Sequence, residues 1–256
     1  MNIYVQQESP LFKYLLQLGD NALILSQRLS EWTGHGPVLE QDIAMTNMAL
    51  DILGQARLWY QYASEITDQN VTEDDLAFLR SEREFKNVLL VEQENGDWGQ
   101  TIVRQYLYDA FQMRLLAALS ESKDQTISEI AQKCLKETKY HHRWSSEWIM
   151  RLSLGTDHAH QRIQSALDKL WDYHQELVTS SPDDLWAAET SIAPSLAAIK
   201  EKYQNDINSV LIAADLNIPP TEPTMFKGKE GVHSEYLGPL LAEMQIMQRS
   251  YPGLEW

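Results

Sequence analysis

Cysteine is almost missing from this sequence: Cys134 is the one thiol in 256 residues. A lone thiol excludes an internal disulfide and any zinc site built on several cysteines, and it suits a reducing compartment. Basic residues are also scarce, with 21 Lys and Arg against 37 Asp and Glu and a net charge of −16 with histidine neutral. A chain this acidic is a poor match for phosphate backbones or anionic membrane surfaces, so neither nucleic acid nor membrane is expected as a partner. No run approaches the roughly 20 apolar residues of a membrane span. The start, MNIYVQQESPLFKYLL, lacks a basic stretch followed by an apolar one, so no secretion signal is expected and the expected setting is the cytoplasm. Glycine (11) and proline (9) are few for the length. Strand-like alternation and hairpin dipeptides are absent, which argues against a β fold.

What is present is an ordinary globular share of apolar (43%) and charged (23%) residues, which excludes disorder. Breaks fall near Gly34–Pro37, Asp68–Asp75, Glu94–Gly96, Ser153–Asp157, Ser180–Asp184 and Asn217–Gly231, and most of them hold glycine or proline. Between the breaks, apolar spacing predicts helices over 10–32, 38–66, 98–121, 124–152, 158–178, 187–215 and 235–250. The first places Leu11, Leu15, Leu18, Ala22, Leu25, Leu29 and Trp32 on one stripe, and the second Met45, Met48, Ile52, Gln55, Trp59, Tyr62 and Ile66. The third has Ile102, Tyr106, Asp109, Met113 and Leu116; the fourth has Ile127, Ala131, Cys134, Thr138, His141, Ser145, Trp148 and Leu152. Residues three and four apart stack on one helix face, so each stripe must be buried.

Short turns join the first helix to the second and the third to the fourth, which makes each pair antiparallel. The connection over 67–97 is long, with a small helix expected near Glu73–Glu84 and an apolar stretch at Val88–Val91. Two hairpins and one crossover give the expected class: all-α, a ferritin-like four-helix bundle with additional C-terminal helices. A single domain is expected, its core bundle over about 10–152 and its packing helices over about 158–250. Apolar residues also form second faces: Phe12, Leu16 and Leu23 on the first helix, and Ala49, Leu50, Leu53 and Ala56 on the second. Either the later helices cover these faces or another subunit does.

Ferritin-like carboxylate bundles build a pair of metal ions at mid-bundle, from one Glu on each of two helices and Glu-x-x-His on each of the other two. The midpoints here offer Ile52-x-x-Gln55, Asp109 and Thr138-x-x-His141, with Ala22 and Leu25 on the first helix. One carboxylate and one imidazole stand where four and two are needed, so a metal-free core is expected. A shifted set of Asp51, Asp109, Glu137 and His141 still lacks a second imidazole in register. His141 reads as a core histidine bonded to Asp109, Gln55 or Tyr106. Glu230-x-x-His233 has the letters of a metal dyad but sits in a glycine-flanked loop. His158 and His160 read as solvated at a helix start, and Cys134 as packing. No glycine-rich phosphate loop and no Gly-x-Ser-x-Gly elbow occur. Lys227 and Lys229, in a glycine-rich stretch of an acidic chain, are a solvated loop or a contact for a partner or a phosphate.

Several blocks resemble a known family. Leu18–Trp32, Leu50–Arg57, Leu89–Gln93, Arg104–Tyr106, Lys136–His141, Gly231–Pro239 and Leu241–Gln245, with Pro252, Gly253 and Trp256, are similar to the C-type subunits of bacterial phenylacetyl-CoA 1,2-epoxidases. The resemblance runs from about residue 15 to the end. It implies a part in a di-iron monooxygenase that converts phenylacetyl-CoA to its ring epoxide in aerobic phenylacetate catabolism. A homologous A-type subunit would carry the iron and the substrate site. The C-type subunit, without metal ligands, would support it in heterodimers that pair further, beside a small B-type subunit and a reductase. Ile52, Gln55 and Thr138 stand where a catalytic relative needs Glu, His and Glu, and His141 matches its remaining imidazole. No catalytic residue carries over, and no cofactor is expected on this chain. Lys227 and Lys229 are candidates for an interface or for the CoA phosphates. Two other functions stay open: a di-iron or di-manganese oxidase using the shifted set, and a helical adaptor outside any oxygenase.

Overall fold

The computed structural model describes residues 8–222 and 225–254. The start of the chain over 1–7, and Trp256, lie outside the described residues. Among the described residues there is no strand, only an isolated bridge between Lys227 and Val232. The elements are α1 (Pro10–Ser30), α2 (Leu39–Ile66), α3 (Glu73–Phe78), α4 (Leu89–Glu92), α5 (Trp98–Leu119), α6 (Gln125–Ser153), α7 (Asp157–Leu170), α8 (His174–Leu177), α9 (Pro182–Glu189), α10 (Leu196–Ala213) and α11 (Leu237–Ser250). None of the described helices is long and apolar enough to cross a membrane. The chain divides into two compact units, one of residues up to Glu94 and from Lys227 on, the other of Asn95–Phe226.

In the first unit α1 pairs with α2, and α3, α4 and α11 pack around them. The Ser9 hydroxyl accepts from Phe12 N at 3.2 Å, and Pro10 opens the first turn with its fixed φ. From Tyr14 to Ser26 every residue of α1 is buried, so the helix runs through the core of its unit. The second face expected on the first helix (Phe12, Leu16, Leu23) is covered within the chain. On α2 the expected second face divides: Ala49 and Ala56 are buried, while Leu50 and Leu53 are exposed. The crossover holds α3, opened by a Thr72–Asp75 capping box, and α4, on the expected segments.

In the second unit α5 takes the central place, packed by α6, α7, α8 and α10. Asp97 and Asp124 cap α5 and α6 by accepting from Gln100 N and Ile127 N. α5 is buried at every residue from Gly99 to Gln112. The helix expected over 187–215 is two helices. Ser181 and Asp184 form a capping box that starts α9 at Pro182, and Ser191 adopts φ +58° before Pro194, which cannot donate a helical hydrogen bond. The helix expected over 158–178 is likewise interrupted, by a 3₁₀ turn at Trp171–Tyr173.

Candidate functional site

On α2, Ile52 and Gln55 are both buried, one turn apart on the core face beside Met48 and Trp59. Asp51, one step round the helix, is half-buried. Ile52 presents only hydrocarbon and Gln55 a neutral amide.

In the second unit Asp109 lies at the middle of α5, fully buried. The Gln105 side-chain amide donates to its Oδ1 at 2.7 Å, and the Ser145 hydroxyl to its Oδ2 at 2.8 Å. Burial pushes the Asp109 carboxyl up to about 7; the charge of His141 and the two hydrogen bonds pull it back by less. Thr138 and His141 are buried on the face of α6 that also carries Ser145. The structure therefore brings Asp109, His141 and Ser145 together, and Glu137 is half-buried beside them in sequence. Cys134 is a buried packing thiol, pushed up to about 12 by its burial. His158 is exposed, whereas His160 is not simply solvated: its Nδ1 lies 2.9 Å from the Ser153 carbonyl.

The first unit holds two polar clusters that sequence reasoning missed. At the middle of α1, Asp20 is fully buried and accepts from four donors. These are Tyr60 Oη (2.5 Å), Lys86 N (2.7 Å) and both terminal nitrogens of Arg80, one of them at 3.0 Å. Arg80, also fully buried, donates from Nε to Leu76 O (2.5 Å) and from Nη1 to Glu84 O (2.9 Å), with the Phe85 ring centroid 4.2 Å from its guanidinium carbon. Burial opposes the Arg80 charge, but Asp20, Tyr60 and Glu84 together outweigh it, and the net shift is upward. Burial and the Asp20 charge hold the Tyr60 hydroxyl well above its ordinary value.

The second cluster is built on Glu92. Its carboxylate accepts from Ser234 N (2.7 Å), Asn87 Nδ2 (3.0 Å) and His233 Nδ1 (3.0 Å), while its carbonyl accepts from Arg28 Nη2 (2.9 Å). His233 Nε2 faces the Phe85 carbonyl at 3.0 Å. Both imidazole nitrogens thus point at acceptors, an arrangement only the doubly protonated ring satisfies. Burial lowers the His233 pKa, but the hydrogen bond and charge of Glu92 outweigh it, and the net shift is upward. The loop reading of this segment needs correction. Lys227–Val232 is closed by its bridge and by Gly231 at φ +83°, and the His233 side chain is fully buried. Lys227 is exposed, but Lys229 is only 5% exposed, with its carbonyl receiving Lys86 Nζ at 3.4 Å. Glu230 is exposed and is not the partner of His233. The one sequence signal for either cluster was an acid beside apolar residues, Asp20 within the first stripe and Glu92 at the end of Val88–Val91.

Among the described residues no group of three His, Cys, Asp or Glu side chains is placed to hold a metal ion. Compared with known families, the chain matches over residues 2–256 a family described as phenylacetic acid catabolic protein. That family is ferritin-like, in keeping with an all-α chain. The chain is also similar to the C-type subunit of the 1,2-phenylacetyl-CoA epoxidase of Escherichia coli (strain K12). The two are 45% identical over 243 residues, covering 95% of this chain and 98% of the relative.

Proposed function

The chain belongs to the phenylacetic acid catabolic protein family, and from that premise we propose that it is the structural subunit of a phenylacetyl-CoA 1,2-epoxidase. It supports a homologous catalytic subunit that holds the iron, alongside a small B-type subunit and a reductase, in the cytoplasm. The observation that carries this reading is the burial of Ile52, Gln55 and Thr138, at positions where a di-iron relative needs Glu, His and Glu. A pair of iron ions wants several anionic oxygens and imidazoles. The residues present do not fit it. Ile52 has no donor atom, Gln55 and Thr138 offer neutral oxygens, and Asp109 is engaged by Ser145 and Gln105 with its carboxyl pushed up to about 7. Kinship with the C-type subunit of an epoxidase supports the assembly role. A catalytic oxidase on Asp51, Asp109, Glu137 and His141 finds no comparable support.

Co-expression with the catalytic subunit of the epoxidase tests the proposal. The expected result is a complex of fixed ratio whose iron tracks the catalytic subunit, and substoichiometric iron on this chain purified alone. Two irons bound per chain, with oxygenase turnover in the absence of the partner, would overturn it.

A further inference from the structure

Asn95 and Gly96 open the second unit, just ahead of α5. In an Asn-Gly pair the side-chain amide is open to attack by the next backbone nitrogen, because glycine has no Cβ to shield that nitrogen. Three features of the fold bear on the pair here. A cation holds the group that would be attacked: Arg104, fully buried on α5, donates from Nη2 to Asn95 Oδ1 at 2.6 Å. A guanidinium on an amide oxygen draws electron density from Cγ, and it is already in place for the negative charge that the oxygen takes up in a tetrahedral intermediate. The attacking nitrogen is not engaged: among the described residues the Gly96 N–H donates to no acceptor. Water reaches the site, since Gly96 is exposed and Asn95 half-buried. The pair is also built into the turn, because Gly96 sits at φ +57°, where a side chain would be strained. The other carbonyl of Asn95, on the main chain, receives only the neutral Thr101 hydroxyl, at 2.9 Å.

We propose that Asn95 is a site of self-modification, at which Arg104 promotes conversion of the side-chain amide to a carboxylate. The Gly96 nitrogen gives its proton to water and bonds to Asn95 Cγ. The Cγ–Nδ2 bond breaks, and ammonia leaves with a proton taken from water, closing a cyclic imide. Water then adds to the imide and opens it. Net, one water is consumed and one ammonia released, with no oxidation or reduction. The imide opens in either of two directions. Cleavage at Cγ restores the original backbone path with Asp at position 95. Cleavage at the main-chain carbonyl leaves an isoaspartyl link, with an extra carbon in the backbone just ahead of the Asp97 cap. Free peptides favour the isoaspartyl product. In the folded chain a charged donor activates Cγ and a neutral one the main-chain carbonyl, so the fold favours Asp. The new carboxylate then faces the same guanidinium, an ion pair in place of a neutral contact.

The test incubates the full chain in mildly alkaline buffer beside a synthetic peptide of residues 91–100, which has the same neighbours without the fold. Conversion at position 95 is followed by peptide mass spectrometry, and an isoaspartyl methyltransferase counts the isoaspartyl share. The folded chain is expected to convert about tenfold or more faster than the peptide, as a charged donor at a developing oxyanion implies. Asp is expected as the main product in the chain and isoaspartate in the peptide. Arg104→Met keeps the packing stem and removes every donor. With helicity and thermal midpoint at wild-type values, it is expected to fall to the peptide rate and to the peptide product ratio. A folded wild-type chain that converts no faster than the peptide, or that yields mainly isoaspartate, would overturn the proposal. So would the wild-type rate in a folded Arg104→Met chain. Should Arg104→Met fail to fold, the comparison of chain with peptide decides alone.

Discussion

Asp20 and Asp109 occupy the same kind of place in the two units, each a fully buried carboxyl at the middle of the most deeply buried helix. Their surroundings treat them oppositely. Asp20 meets a guanidinium, a phenol and a backbone N–H, and Arg80 is itself satisfied on every side. Asp109 accepts from a hydroxyl and an amide, and burial pushes it up to about 7 against the pull of those bonds and of His141. A buried acid is kept either by giving its charge a complete partner shell or by letting it hold a proton. The first unit uses the former and the second the latter. A charge that is kept serves as a fixed joint between α1, α2 and the crossover.

The largest expected effect breaks the first arrangement. Arg80→Met strands the Asp20 charge and is expected to cost about 3–5 kcal/mol, read from urea unfolding. A loss below about 1 kcal/mol would mean that Asp20 is not ionised in the fold. Next, Asp109→Asn keeps the shape and replaces the titrating group. Because the folded carboxyl takes its proton near 7 rather than near 3.8, wild-type stability falls as pH rises from about 4 to about 7 and is flat above. The Asn variant loses that slope and is more stable by roughly 1–3 kcal/mol at pH 8. A parallel pH dependence in the two proteins would refute the assignment.

Removing one neutral donor from each acid sharpens the contrast. Tyr60→Phe takes a hydrogen bond from a charged acceptor and should cost about 2 kcal/mol, against about 1 kcal/mol for Ser145→Ala. Equal costs would mean that the two carboxyls share a charge state. The smallest effect concerns His233. Its folded pKa is raised above 6.5, so its contribution is fully present below that value and is lost as pH rises through the folded one. His233→Gln is expected to cost about 1 kcal/mol more at pH 5.5 than at pH 9. An NMR titration that places the imidazole below 6.5 would remove the basis for this prediction.

The long helices were legible because burial imposes a local period. Met45, Met48, Ile52, Gln55 and Trp59 are buried on α2 as their spacing requires, as are Ile127, Ala131, Cys134, Thr138, His141 and Ser145 on α6. The break between α9 and α10 was missed because spacing there stays helical while Ser191 and Pro194 interrupt the backbone. The polar clusters were illegible for a different reason. Arg80 is 60 residues from Asp20, and His233 is 141 from Glu92, and nothing in a local pattern says which distant cation closes on which acid. Of the candidate positions, the lack of donors at Ile52 could be read directly. The neutralising environment of Asp109 could not, because it comes from burial by helices that only the fold brings around it.

The first unit is assembled from the opening and closing stretches of the chain. Arg28 donates to the Tyr236 carbonyl, Glu92 receives Ser234 and His233, and Gln245 and Arg249 bind the Arg80 carbonyl. During synthesis those groups must wait for the last stretch of the chain, while Asn95–Phe226 needs only residues made before it. A chain cut after Phe226 would therefore hold every residue of the second unit and an unsealed first one, its Glu92 carboxylate still open to water.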